Sequence, residues 1–173
     1  SQTVWPMLHM RVAVDSEAPK VPYETREQIP DVIVTHEALL DYAEKLRHAT
    51  GPLALDAERA SGYTYSPRAY LIPFRRESAG TALIDPIACP DLSPIAEATV
   101  GVEWILHAAT QDLECLREVG LSPSRLFDTE LAGRILGCER VGLGPLIEGE
   151  LGKYLEKGHG AADWSVRPLK PAM

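Results

Sequence analysis

From residue 35 onward the apolar residues keep changing period, and that change constrains the fold more than anything else in the sequence. Thr35 can cap a helix on which Leu39, Ala43 and Leu46 repeat at helical spacing, ending near Gly51. Residues 53–57 then form a short apolar run that closes on a carboxylate. Residues 70–74 and 82–84 read as two further strands, and the polar stretch 75–80 between them suits a hairpin. A short helix is expected over 91–98 after the breaker Pro90, and a fourth strand over 103–107. Residues 110–119 are amphipathic, with Leu113, Leu116 and Val119 on one side and Gly120 as the stop. After Arg125 a short segment leads into Asp128, and two more helices are expected over 129–136 and 143–151. Strands that can pair antiparallel, followed by alternating helix and strand, make an α/β domain: one mixed β-sheet with helices packed on it.

The chain has 173 residues, 45% of them hydrophobic and 24% charged, so it can bury a core without a disulfide or metal staple. Its net charge of −8 excludes bulk electrostatic capture of nucleic acid, which needs a basic face. It does not exclude a nuclease, because a metal-binding carboxylate cluster is itself acidic. Cys89, Cys115 and Cys138 lie far apart and without CxxC spacing, which fits free thiols in a reducing cytoplasm. No apolar run approaches the roughly 20 residues of a membrane span, and the first ten residues lack the order of a signal peptide. Residues 1–34, with Pro6, Pro19, Pro22 and Pro30, read as an extended arm carrying one short strand over 11–14. His9-Met10 within it has the look of a tag junction before a native start. The folded domain is expected over 35–173.

Asp56 and Glu58 sit two apart at a strand end, and the side-chain period of a strand is two. Both carboxylates should therefore leave one face, with Cα atoms roughly 6.5–7 Å apart. Such a pair can converge on one divalent cation or bridge two, the arrangement that clamps both oxygens of a phosphodiester displacement. Alone, the pattern more often means two solvated charges. Asp112 falls in the first turn of the helix after the 103–107 strand, where an acid also serves the helix dipole. His107, closing that strand, could position a helix terminus or be a satisfied, half-buried imidazole.

Several segments together carry a resemblance. Leu53-Ala54-Leu55-Asp56-Ala57-Glu58 resembles the first motif of the DEDD exonuclease superfamily, and His107-Ala108-Ala109-Thr110-Gln111-Asp112-Leu113 its second. The runs from Tyr65 to Ile72 and from Ala82 to Pro86 are similar to strand segments of ribonuclease D. Phe127-Asp128-Thr129-Glu130-Leu131-Ala132 and the run from Asp163 to Leu169 are similar to two of its later signatures. The likeness runs in order from about residue 35 to 169. It implies a ribonuclease H-like fold and a 3′–5′ exonuclease using two divalent metal ions, Mg²⁺ or Mn²⁺, on a single-stranded RNA or DNA 3′ end. Asp56, Glu58 and Asp112 would be its catalytic and metal-binding residues.

The resemblance also implies a fourth carboxylate, in a Tyr-x-x-x-Asp motif just beyond Arg167-Pro168-Leu169. The sequence reaches Met173 without it, so the expectation is a chain lacking that motif and its helix, and impaired as a nuclease by itself. Tyr63, Tyr65 and Tyr70 are candidates to stack a base, Arg68, Arg75 and Arg76 to meet phosphates, and His107 to touch substrate. Asp128 reads as a helix cap and Trp164 as architectural. The rival reading is a non-catalytic nucleic-acid-binding or scaffolding domain on the same fold. A DNA proofreading exonuclease would use the same residues.

Overall fold

The computed structural model describes residues 19–24, 28–60, 68–155 and 164–169. Its centre is a mixed sheet of seven strands: β2 (Val32–Ile33), β3 (Leu53–Leu55), β4 (Glu58–Arg59), β5 (Ala69–Arg76), β6 (Gly80–Ile84), β7 (Glu103–Leu106) and β8 (Arg125–Asp128). The order across the sheet is β2-β6-β5-β3-β7-β8, with β4 also on β5. β5 runs antiparallel to β3, β4 and β6, whereas β2 is parallel to β6, and β3, β7 and β8 are parallel to one another. A separate pair joins β1 (Val21–Pro22) to β9 (Lys153–Tyr154).

The helices are α1 (His36–His48), α2 (Ser93–Ala98), α3 (Leu113–Glu118), α4 (Thr129–Ile135) and α5 (Leu143–Leu151). Among the described residues none is long and apolar enough to cross a membrane. α1 forms where its periodicity predicts: the Thr35 hydroxyl accepts the Ala38 N–H, and Leu39, Tyr42, Ala43 and Leu46 are buried. Its C-terminal carbonyls are met by Arg76, whose Nε donates to Gly51 O at 2.9 Å and Nη1 to Leu46 O at 2.7 Å. Arg76 is therefore spent on a helix end, where a cation is favoured, and is not the phosphate contact its sequence context allowed. The hairpin between β5 and β6 turns through Ser78 and Gly80, both left-handed.

Leu53 and Leu55 pair across the sheet with Arg76 and Phe74, and Leu53 also with Trp104, so these side chains share one face. That face, with α1 and α2, makes the core. Trp104, Phe74, Leu39, Leu46 and Ile95 are each at most 1% exposed, and each such burial contributes about 1.5–3 kcal/mol.

Two differences from the sequence reading have physical causes. The segment read as an arm supplies β1 and β2, and strands of two residues carry no periodicity to read. The expected strand over 11–14 lies outside the described residues. The segment before Asp128 is a full strand, β8, which gives little alternation because Arg125, Leu126 and Phe127 are all exposed.

Candidate active site

Burial alternates along the strand that carries the first two carboxylates. Leu53, Leu55 and Ala57 are buried while Ala54, Asp56 and Glu58 are not, so Asp56 and Glu58 leave the face opposite the core. The ladder breaks between them for a reason legible in the partner strand. Asp56 N–H donates to Pro73 O at 3.2 Å, but Pro73 has no N–H to return. β3 ends at Leu55, and pairing with β5 resumes at Glu58 with a register shift before Arg59. Asp56 turns its Oδ1 to the Ala57 N–H at 2.8 Å.

Asp112 arrives from the other side. β7 leads through Ala108, left-handed at φ 55°, and a 3-10 turn at Ala109–Gln111 to Asp112, which stands at the N-cap of α3 and not inside its first turn. Asp112 is 5% exposed and makes no capping bond to α3. Its carboxyl instead lies close enough to Asp56 and Glu58 to feel their charges, and Arg59 Nε lies 3.9 Å from its Oδ1. Burial, then the neighbouring Asp56 and Glu58 charges, push the Asp112 carboxyl up to about 7, with Arg59 pulling the other way. Burial and Asp56 also raise Glu58. The three acids expected from the sequence are thus close enough to disturb one another's ionisation. Among the described residues no three His, Cys, Asp or Glu side chains are drawn tightly enough to coordinate an ion as they stand. The donor chemistry nevertheless fits one. Carboxylate oxygens suit Mg²⁺ or Mn²⁺, and a cation would offset the crowding of charge that raises Asp112 and Glu58.

The remaining candidates are placed as follows. His107 holds Thr129: its Nδ1 is 2.9 Å from Thr129 Oγ1, which itself donates to Leu106 O at 3.3 Å. The pair of contacts ties the end of β7 to the start of α4. Tyr65 and Tyr63 lie outside the described residues. Arg68 is exposed immediately before β5, and Arg75 Nη1 donates to Thr81 Oγ1 at 3.2 Å. Tyr70 lies between Ala69 and Leu71, which pair with Arg59 and Glu58. The Arg167 guanidinium lies 5.8 Å from the centre of its ring.

Arg167 itself was missed in the sequence. It forms a half-buried ion pair with Asp85, Nε to Oδ2 and Nη2 to Oδ1, both at 3.0 Å, and donates to the carbonyls of Tyr70 and Trp164. Arg59 was missed as well, although an arginine directly after the acidic pair was a readable signal.

A family model described as 3′-5′ exonuclease matches residues 30–173. Ribonuclease D of Sphingobium indicum is 36% identical over 149 residues, which cover 82% of this chain and 38% of the relative. The chain therefore spans less than two fifths of the length of that curated relative. Among solved structures, a protein from Bifidobacterium adolescentis superposes with a TM-score of 0.84 at 46% identity, covering 89% of this chain and 38% of that one. The catalytic core of RRP6 from Trypanosoma brucei shares the fold, with a TM-score of 0.72 at 24% identity over 87% of this chain and 43% of its own. With the carboxylates, the sheet order and these likenesses in agreement, the chain belongs to the ribonuclease D-like 3′–5′ exonuclease family of ribonuclease H-like fold.

Proposed function

We propose that this chain is the nuclease part of a cytoplasmic enzyme that hydrolyses the terminal phosphodiester at the 3′ end of single-stranded RNA, in RNA processing or degradation. Asp56, Glu58 and Asp112 would hold two divalent ions, Mg²⁺ or Mn²⁺. The observation that carries this reading is Asp112, a buried acid aimed at Asp56 and Glu58 instead of capping its own helix. A solvated strand end or a helix cap leaves that arrangement without a cause.

When bound, the ions would supply charge stabilisation and a more acidic water. The chain's own residues do the rest. Asp112, its carboxyl raised to about 7, must be ionised before it can act as a ligand. Arg59 offsets the charge of three crowded acids. His107, held by Thr129 at the end of β7, stands as a candidate to touch the terminal nucleotide. Tyr65, Arg68 and Tyr70 stand as candidates to hold the strand. The choice of RNA over DNA rests on the ribonuclease D relatives.

The test is shortening of a 5′-labelled single-stranded RNA by the intact protein with Mg²⁺. Asp56→Asn is expected to lower the rate at least a thousandfold, as for groups that act as a unit. A variant that still shortens RNA at the parent rate removes Asp56 from the chemistry and this reading with it.

A further inference from the structure

Asp128 closes β8, beside the strand that leads to Asp112. Its carboxylate accepts backbone N–H groups from two turns at once. Oδ1 takes Ala108 N at 3.1 Å and Oδ2 takes Ala109 N at 2.9 Å, while Oδ1 also takes Glu130 N at 2.9 Å and Leu131 N at 3.3 Å. The second pair is an ordinary N-cap of α4. The first pair is not local: these amides lie 19 and 20 residues back in the chain, in the turn that delivers Asp112. Burial works against the Asp128 charge, yet these amides hold its carboxyl below the usual range, so the clamp is ionised at neutral pH.

The turn needs a clamp. Ala108 is left-handed at φ 55° and ψ 53°, a conformation that residues other than glycine seldom adopt. An aspartate at a helix N-cap ordinarily turns back onto the amides of its own helix, but Asp112 does not. The His107–Thr129 hydrogen bond ties the same two turns a second time. We propose that Asp128 is a positioning residue of the carboxylate site: by holding the amides of Ala108 and Ala109 it fixes the left-handed turn that aims Asp112 at Asp56 and Glu58. This rests on the reading of those three acids as the metal site.

Asp128→Asn in the intact protein tests it. The amide group keeps the shape and one acceptor oxygen; with that oxygen at the Oδ1 place the helix cap and the Ala108 bond survive, and the NH₂ group faces the Ala109 N–H, which it cannot accept. Mn²⁺ binding, followed by titration of the paramagnetic signal, is expected to weaken about tenfold or more, as for lost outer partners of metal ligands. The rate constant kcat should fall with KM nearly unchanged, and the melt should stay cooperative. A merely structural cap would lower the melting temperature and leave Mn²⁺ affinity at the parent value; that result overturns the proposal. Should the variant fail to fold, hydrogen exchange in the parent decides. Slow exchange at Ala108 and Ala109 supports the clamp, and exchange as fast as in an open loop overturns it. Asp112→Asn separates the two layers. If the parent binds no Mn²⁺, or Asp112→Asn binds it as the parent does, the site reading fails and this proposal with it. If Asp112→Asn loses Mn²⁺ while Asp128→Asn keeps it, only the positioning role fails.

Discussion

Up to Leu121 the chain is held by apolar packing, and after it mainly by polar clamps. Among the described residues, all members of the buried core lie between Leu39 and Leu121. Beyond that point α5 has no buried residue and α4 only Gly133, while Leu131, Ile135, Leu136, Leu143 and Leu151 are exposed. Among the described residues, the β8 ladder on β7 joins the later part to the sheet, and Asp128 across two turns, Arg167 on Asp85, and Lys20 on Glu148 at 2.8 Å fasten it further. The site straddles this division. Asp56, Glu58 and Asp112 hang on the packed half, but the aim of Asp112 depends on a residue of the clamped half.

That contrast can be broken at its strong end first. Trp104→Ala, removing the largest buried side chain, should cost about 3–5 kcal/mol in a urea melt. Arg167→Ala should cost less, about 2 kcal/mol, since its side chain is 29% exposed, although Asp85 is left buried and unpaired. It should also have a local signature: proteolysis near residues 164–169 faster than the shift of the main transition accounts for.

A third substitution reverses sign. Asp112 binds its proton more tightly folded than unfolded, because its carboxyl is raised from 3.8 to about 7. Without metal, stability contributed by this group is present below about pH 4 and is lost as pH climbs towards 7. Asp112→Asn should therefore raise the stability of the metal-free protein at pH 8 by on the order of 2 kcal/mol. The gain should shrink at pH 5, as thermal melts at the two pH values would read. The smallest effect belongs to the clamped half. Ile135→Ser, at a side chain 78% exposed, should change stability by less than about 0.5 kcal/mol.

The same division explains what the sequence could reveal. Helix α1, the β5–β6 hairpin and β7 were legible because one face of each is sealed in the core, and burial writes the period. β8 was not, because an exposed edge strand has no buried face to impose alternation. The shared direction of Asp56 and Glu58 follows from strand geometry alone. Their meeting with Asp112 does not, and came from the resemblance of ordered motifs. The Asp128 clamp and the Arg167–Asp85 pair were beyond reach for the same reason: each joins residues far apart in the chain, and no local pattern marks the partner.

Pro73 has a mechanical consequence. Because it returns no N–H to Asp56, a small swing of the backbone at Asp56 and Ala57 sacrifices no reciprocal ladder bond, while Leu55 stays anchored opposite Phe74. The sheet is thus held at its acidic end by one bond where an ordinary facing pair exchanges two. Neither pH nor salt can supply the second, since its donor is missing from the covalent structure.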